Sequence, residues 1–481
     1  MTGKQRPIGR TPLSALLEAL PADMPIVRLF AVALAAVLAG YMFMGRGFAH
    51  IGVGRFFVGE VVLALGLVTA CIVVVRRGLL VPKSWTIAFL VLFMVLGAAR
   101  TIPYLGTYGL DALRDGVLWG YAAFALLVYL VADRRWIAAA IRLYGWLVPA
   151  FALWLPISWT IFQASQVGAD PRNPGSNHPL VFFKAGDMAI HVVGVIAFIV
   201  LAPSTFATVR DFVARFFVSV PLTWTVFLTG AASRGALLGA AAGVGATALA
   251  TRRPTNWIPV GAAALVVLIW LNASAIFGGP ISPSPSPSTV ASASPRPSQA
   301  APPTPPPGRE ISPSQWFTNL LSIFGSSSRA DLDGTRAYRL AWWSAIMDYT
   351  VYGPYFWTGK GFGVNLADDD GFQGTLDHSL RAPHNSHMSV LARMGVPGLV
   401  LWVLLQGAFA IGLVRAVRAH RRADDRMMAD LGAWILVVWA AMMVVTSFDP
   451  YLEGPQGGIW FWSIFGLGLV TMRMAPRLTA R

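Results

Sequence analysis

The chain has 481 residues, of which 56% are hydrophobic and only 12% charged, with a formal net charge of +15. A soluble domain carries about twice that charge density. The apolar residues fall in runs of roughly 18 to 22, long enough to cross a bilayer. Together these exclude a soluble globular protein and indicate an all-α polytopic membrane protein. The basic residues lie in the gaps between runs, so the charge reads as orientation signal and anionic-lipid contact, with no nucleic-acid partner. The single cysteine, Cys71, lies within an apolar run and excludes an internal disulfide.

The N-terminal segment carries Lys4, Arg6 and Arg10 but no short apolar region with a small-residue cleavage site, so no cleaved signal peptide is expected. About twelve spans follow, near 25–44, 56–75, 84–99, 115–132, 140–160, 187–203, 212–231, 233–250, 257–276, 396–414, 430–447 and 457–473. Alternate gaps hold most of the cations: Lys4, Arg6 and Arg10; Arg76, Arg77 and Lys83; Arg134 and Arg135; Arg210 and Arg215; Arg252 and Arg253; Arg415, Arg418, Arg421, Arg422 and Arg426. The C-terminal tail adds Arg473, Arg477 and Arg481. The short gaps of the other set are poorer, with Arg46 and Arg55, then Arg100 and Arg114. The positive-inside rule therefore predicts both termini on the cytoplasmic side.

This orientation predicts three units: spans one to nine within 1–276, a large extracytoplasmic loop over 277–395, and spans ten to twelve within 396–481. The turn of Ser233, Arg234 and Gly235 falls on the same outer side. So does the 161–186 loop, with Asp170, Arg172, His178 and Lys184. Within the large loop, 279–308 is Pro/Ser/Ala-rich and is expected to be a disordered, partly polyproline II tether. The remainder, 314–395, begins with Trp316, Phe317, Leu320, Leu321, Ile323 and Phe324. These predict an amphipathic helix lying on the membrane. A second helix is predicted over 334–349, with Arg336 facing Leu340 and Arg339 facing Trp343. The stretch 358–366 is a glycine-rich turn. It does not open a helix after a strand, which excludes a dinucleotide fingerprint.

The loop ends in RAPHNSHMSVLARMGVPG, 381–398, beside which or in which fall His378, His384 and His387. Pro383 stops any incoming helix. Asn385 or Ser386 can cap a new one, whose apolar face is Met388, Leu391 and Ala392. Gly395 ends it and Pro397 starts the next segment. His384 then lies at a helix mouth at a membrane surface, where the helix dipole disfavours imidazolium and leaves the ring able to take a proton.

Several residues carry two readings. Arg234 is either a snorkelling arginine on any headgroup or a fixed cation for a lipid-linked phosphate at a helix N-terminus. Arg336 and Arg339 form either a solvated face or a bidentate phosphate clamp. His384 and His387, three apart, are packing residues, a metal pair completed by Asp368, Asp369, Asp370 or Asp377, or, for His384, a general base. Neither an HExxH nor a calcium-loop spacing is present, so no metal and no cofactor is implied. The spans are nearly free of charge at mid-membrane, with Glu60 the main exception and Arg142 placed near span five; a transporter for lipid-linked glycans would carry more there. The clustering of polar groups at one face points to an enzyme that attacks a lipid diphosphate sugar. Histidine would take the acceptor proton, and arginines would stabilise the departing diphosphate. A structural export component would not need that histidine.

His384-Asn385, followed by Gly395 and Gly398, resembles the motif of the O-antigen ligase and polymerase superfamily. Arg336 with Leu340 resembles that family's arginine–x3–leucine element, and SRGALLG (233–239) its serine–arginine–glycine element at the start of a span. The resemblance implies a GT-C-like, inverting, metal-independent glycosyltransferase of the bacterial cytoplasmic membrane. Its donor would be undecaprenyl-diphosphate-linked glycan. Its acceptor would be a lipid A core, another lipid-linked repeat or a protein. It further implies His384 as base and Arg234 and Arg336 as diphosphate-binding cations. Arg339, Arg381, Asn385 and His387 stand beside them by proximity. The 279–308 insert departs from the family's catalytic core.

Overall fold

The computed structural model describes residues 24–53, 56–78, 84–165, 171–173, 178–201, 212–277, 313–324 and 330–476. The tract at 279–308 and the basic residues at 4, 6, 10, 83, 210, 477 and 481 lie outside the described residues. Each expected span coincides with helix: α1 (Pro25–Met44), α2 (Val58–Arg77), α3 (Trp85–Thr101), α4 (Leu110–Gly120) with α5 (Ala123–Val131), α6 (Arg134–Ser165), α7 (Ala185–Leu201), α8 (Phe212–Ala232), α9 (Arg234–Ala250) and α10 (Ile258–Phe277). In the long loop follow α11 (Pro313–Phe324) and α12 (Ala330–Thr350), and after it α13 (Ser386–Arg422), α14 (Arg426–Val445) and α15 (Pro455–Arg473). Strand pairing among the described residues is a two-residue ladder, Gly52–Val53 against Phe56–Phe57, plus isolated bridges.

Among the described residues, eight helices are long and apolar enough to cross a membrane alone. The α4–α5 pair, bent by 47°, makes a ninth. This is three fewer than the predicted count: α15, with 19 residues, is not among the eight, and two further helices fall short in length. α7 and α9 are apolar but only 17 residues long, about 25 Å against a hydrocarbon core of about 30 Å. α7 lies inside the bundle, where protein rather than lipid surrounds it, while α9 buries one face and leaves Leu249 exposed. Every α7 residue from Gly186 to Leu201 is buried. A Cβ at Gly239 or Gly243 of α9 would come within 2.4 Å of Val445 or 2.1 Å of Val193, so only glycine permits this approach of α9 to α14 and α7.

The chain crosses back and forth so that its gaps gather at two ends. One end is basic. Arg134 pairs with Asp425 at 2.6 Å, Arg473 donates to the Tyr129 carbonyl at 2.7 Å, and Arg421 donates to the Ala250 carbonyl at 3.2 Å. Among the described residues, the opposite end collects 45–53, the 178–184 strap, the start of α9, the 351–385 part of the long loop and the α14–α15 turn.

The polar face of α11 points inward: Gln315, Asn319 and Ser322 are buried while Phe317 and Leu321 are exposed. Asn319 donates to the Gly230 and Ala231 carbonyls at 3.0 and 2.7 Å, satisfying the open C-terminus of α8. The predicted glycine turn serves the same purpose elsewhere. Lys360 and Gly361 donate their backbone N–H to the Ala392 and Arg393 carbonyls at 2.7 and 3.1 Å. These end the first segment of α13, which breaks at Gly395 (φ 68°, ψ −170°) where the sequence places a stop. A side chain at Gly395 would meet the Phe356 carbonyl at 2.4 Å.

Candidate functional site

The site is built on the first turn of α13. Asn385 is the cap: its side-chain oxygen accepts from the His387 and Met388 N–H groups at 2.9 and 3.2 Å. Ser386 is fully buried and pins the turn to the α14–α15 connection. Its N–H donates to the Thr446 carbonyl at 2.8 Å and its hydroxyl accepts from Leu452 N–H at 3.4 Å. Trp343 of α12 holds the other side, donating to the Pro383 carbonyl at 2.8 Å. Leu391 and Ala392, the predicted apolar face, bury against Trp342 and Ile346. Caught between these anchors, His384 adopts φ 54°, a left-handed conformation that few non-glycine residues tolerate.

The half-buried imidazole of His384 lies among charges from four elements. Burial lowers its pKa first. Arg339 of α12 and Lys184 of the strap lower it further, Asp449 opposes them, and Arg46 adds to the lowering, leaving a value of about 4. The charges are tied to one another. Arg46 bonds Asp187, in the first turn of α7, at 2.7 Å and Asp449 at 3.4 Å; Lys184 bonds Asp449 at 3.2 Å. Arg339 donates to the Phe448 carbonyl at 3.1 Å. The strap is laced to the end of α1: Arg46 N–H donates to the Phe182 carbonyl at 2.8 Å, and Phe182 N–H to the Met44 carbonyl at 3.0 Å. Gly47 lets it lie close, because a Cβ there would stand 2.1 Å from the Leu180 carbonyl.

The residues singled out in the sequence separate. Arg234 is half-buried at the first position of α9, after the Ser233 cap. Its neighbour Gly235 seats against Phe448, where a Cβ would stand 2.7 Å from the Phe448 Cβ. Gly235, beside Arg234, and Arg339 thus meet the same Phe448. Arg336 is exposed one turn before Arg339. Arg381 turns away into a different cluster. It bonds Asp115 at 3.0 Å and the Gly363 carbonyl at 2.9 Å, and Arg393 pairs with the same Asp115 at 3.0 Å.

His387 is likewise committed elsewhere. Its Nδ1 accepts from the Trp402 indole at 3.0 Å, and its Nε2 lies 3.3 Å from the Met443 carbonyl and 3.2 Å from the Thr446 hydroxyl. This bonding places the ring proton on Nε2 and locks the first turn of α13 to α14.

No group of three or more metal-ligating side chains occurs among the described residues. The predicted acidic run is engaged internally: Asp369 and Asp370 hold Lys360, Asp370 accepts from the Trp342 indole at 2.7 Å, and Asp368 meets His378 at 2.7 Å.

Sequence reasoning missed Arg46, Lys184, Asp187 and Asp449 as site residues. The available signal was Arg46 itself, a cation on the side of the membrane where arginine is depleted.

Residues 217–403 match the family model described as O-antigen ligase. The match runs from α8 into α13 and contains Arg234, Arg336, Arg339, Arg381, His384, Asn385 and His387; Arg46, Lys184 and Asp449 fall outside it. No curated protein matches the chain. The family match supports assignment to the O-antigen ligase and polymerase superfamily. With the apolar helices, it supports a multi-pass membrane enzyme of ligase or glycosyltransferase type whose partners are a lipid-linked glycan and an acceptor.

Proposed function

We propose, from that O-antigen ligase domain as premise, that the protein transfers a glycan en bloc from undecaprenyl diphosphate to an acceptor hydroxyl. Transfer would take place on the outer face of a bacterial cytoplasmic membrane, with both termini inside and the 314–395 catalytic loop outside. The observation that carries this reading is the setting of His384, a half-buried imidazole with Arg339, Lys184, Asp449 and Arg46 around it, whose proton affinity burial and the cations lower. In the reaction the acceptor oxygen bonds the anomeric carbon from the face opposite the diphosphate, inverting that centre. The carbon–oxygen bond to the diphosphate breaks. His384 takes the hydroxyl proton, and undecaprenyl diphosphate leaves with the electron pair.

The cations serve two ends. Arg46, Lys184 and Arg339, with Arg234 and Arg336 by family analogy, stabilise charge as it develops on the leaving diphosphate. In the free protein Arg339, Lys184 and Arg46 add to the effect of burial in keeping the imidazole unprotonated. A bound diphosphate offsets their charge, so the proton affinity of His384 rises as the donor arrives. Arg381, Asn385 and His387 act as positioning residues: the first braces the loop on α4, and the other two set the first turn of α13. Side-chain cations take the role that a metal takes in other glycosyl transfers.

The test is a transfer assay with undecaprenyl-diphosphate glycan, candidate acceptors and a chelator, comparing wild type with His384→Ala. Chelator-resistant transfer lost in the variant supports this reading and identifies the acceptor. Full activity in His384→Ala reduces that histidine to packing. If wild type transfers nothing yet moves the lipid across liposomes, a transporter replaces the enzyme.

A further inference from the structure

We infer that the groove between α6 and α8, roofed by the strap ending at Lys184, holds the first isoprene units of the lipid diphosphate. The inference rests on the function proposed above and adds where the donor's tail runs. The groove is lined by Trp159 and Phe162 of α6, Phe183 of the strap, Met188 of α7 and Leu228 of α8, with Lys184 among its lining residues.

Its wall is apolar despite three hydroxyls in its lining. Ser158 bonds the Leu155 carbonyl at 2.8 Å, Thr225 the Pro221 carbonyl at 2.7 Å, and Thr229 the Thr225 carbonyl at 2.9 Å. Each hydroxyl is spent on its own helix, leaving hydrocarbon to face the occupant. The aromatic wall is stiff: Trp159 stacks on Phe162 at 5.4 Å and meets Trp224 edge-on at 6.0 Å.

Charge complementarity selects the occupant. Lys184 reaches from the groove to Asp449, which Arg46 also bonds, so a chain lying in the groove brings its head group to the cations around His384. A second apolar groove, bounded by Leu34, Trp136, Tyr144, Trp434 and Ile464, has no cation in its lining and offers nothing to a diphosphate. A single molecule with a hydrocarbon tail and a diphosphate head satisfies both parts of the α6–α8 groove. The groove accommodates only the head-proximal part of a long polyprenyl chain, and the rest passes into lipid.

The experiment compares two probes on the purified full chain: farnesyl diphosphate, with a short isoprenoid tail, and methyl diphosphate, with none. Wild type is expected to bind farnesyl diphosphate about tenfold more tightly or better, from buried hydrocarbon. Leu228→Trp fills the groove and should bring the two probes within about threefold of each other, with methyl diphosphate affinity retained. A photoreactive farnesyl diphosphate should label 155–162 or 225–232, a readout that needs no variant to fold. Labelling confined to other helices, or an undiminished tail preference in Leu228→Trp, overturns the groove. If Lys184→Ala then loses both probes, the diphosphate site stands without the groove. If wild type binds neither probe, both proposals fall.

Discussion

Arg46 grips Asp187 across 141 positions of the chain, Nε to Oδ2 at 2.7 Å, with Asp187 only 1% exposed. The pair joins the end of α1 to the start of α7 and aims the guanidinium at Asp449. Removing one partner of a buried pair leaves the other charge without compensation. Arg46→Ala should therefore cost about 3–5 kcal/mol of stability. Adding Asp187→Asn should recover much of the thermal stability without restoring glycan transfer, since the diphosphate still lacks its cation. Thermal unfolding and transfer rates on the single and double variants check this.

His384 sits at φ 54°, where glycine is relaxed and histidine is strained. His384→Gly should leave the protein as stable as wild type or more so, by about 0.5–1 kcal/mol. Transfer should fall about 100- to 10,000-fold, the usual worth of a positioned base. A stabilised, inactive variant would separate catalysis from folding; a variant that keeps its rate would remove His384 from the mechanism.

The acid limb of kcat/KM reports His384 in the free protein and is expected near pH 4. Arg339→Ala removes a positive neighbour, which favours imidazolium, so the limb should move to higher pH. Asp449→Asn removes the opposing carboxylate and should move it lower. Titration of the rate, or of the ring by NMR, tests both signs.

Glu453, half-buried in the α14–α15 turn, has its pKa raised to about 7, chiefly by desolvation. Its folded-state pKa exceeds its unfolded value of 4.5, so the protonated carboxyl supports the fold at low pH. That support is lost as pH rises from the unfolded value through about 7. Glu453→Gln should flatten this pH dependence of thermal stability, and an unchanged slope would assign it to another group.

Arg381 and Arg339 should fail in different ways. Arg381→Ala removes one of two guanidiniums on Asp115; Arg393 keeps the carboxylate paired, so stability should drop by about 1–3 kcal/mol with donor affinity little changed. Arg339→Ala should raise KM for the lipid donor and lower kcat while the melting temperature stays close to wild type. Equal effects of the two variants on KM would contradict the separation of roles.

Much of the architecture is written in local sequence. Runs of apolar residues define every helix that crosses the bundle, because backbone polar groups in hydrocarbon must be satisfied within the segment. Alternating basic gaps match the two ends, one of which carries Arg134, Arg421 and Arg473. Asn385 as cap, Gly395 as break and the glycine turn at 359–363 were also legible, since capping and positive φ depend on the residue and its immediate neighbours.

Tertiary structure decided the rest. His384 and His387 look alike in sequence, yet only the packing of α14 and Trp402 commits His387 to hydrogen bonds. Arg381 and Arg339 look alike until Asp115 of α4 claims the first. Arg46, Lys184 and Asp449 reach His384 because α1, α7 and α14 end at one level of the bundle. Which helix ends meet is set by close packing, such as that of Gly239 and Gly243 of α9 against α14 and α7. An ion pair between distant segments leaves no periodic trace in the chain, so its partners emerge only once the helices are assembled.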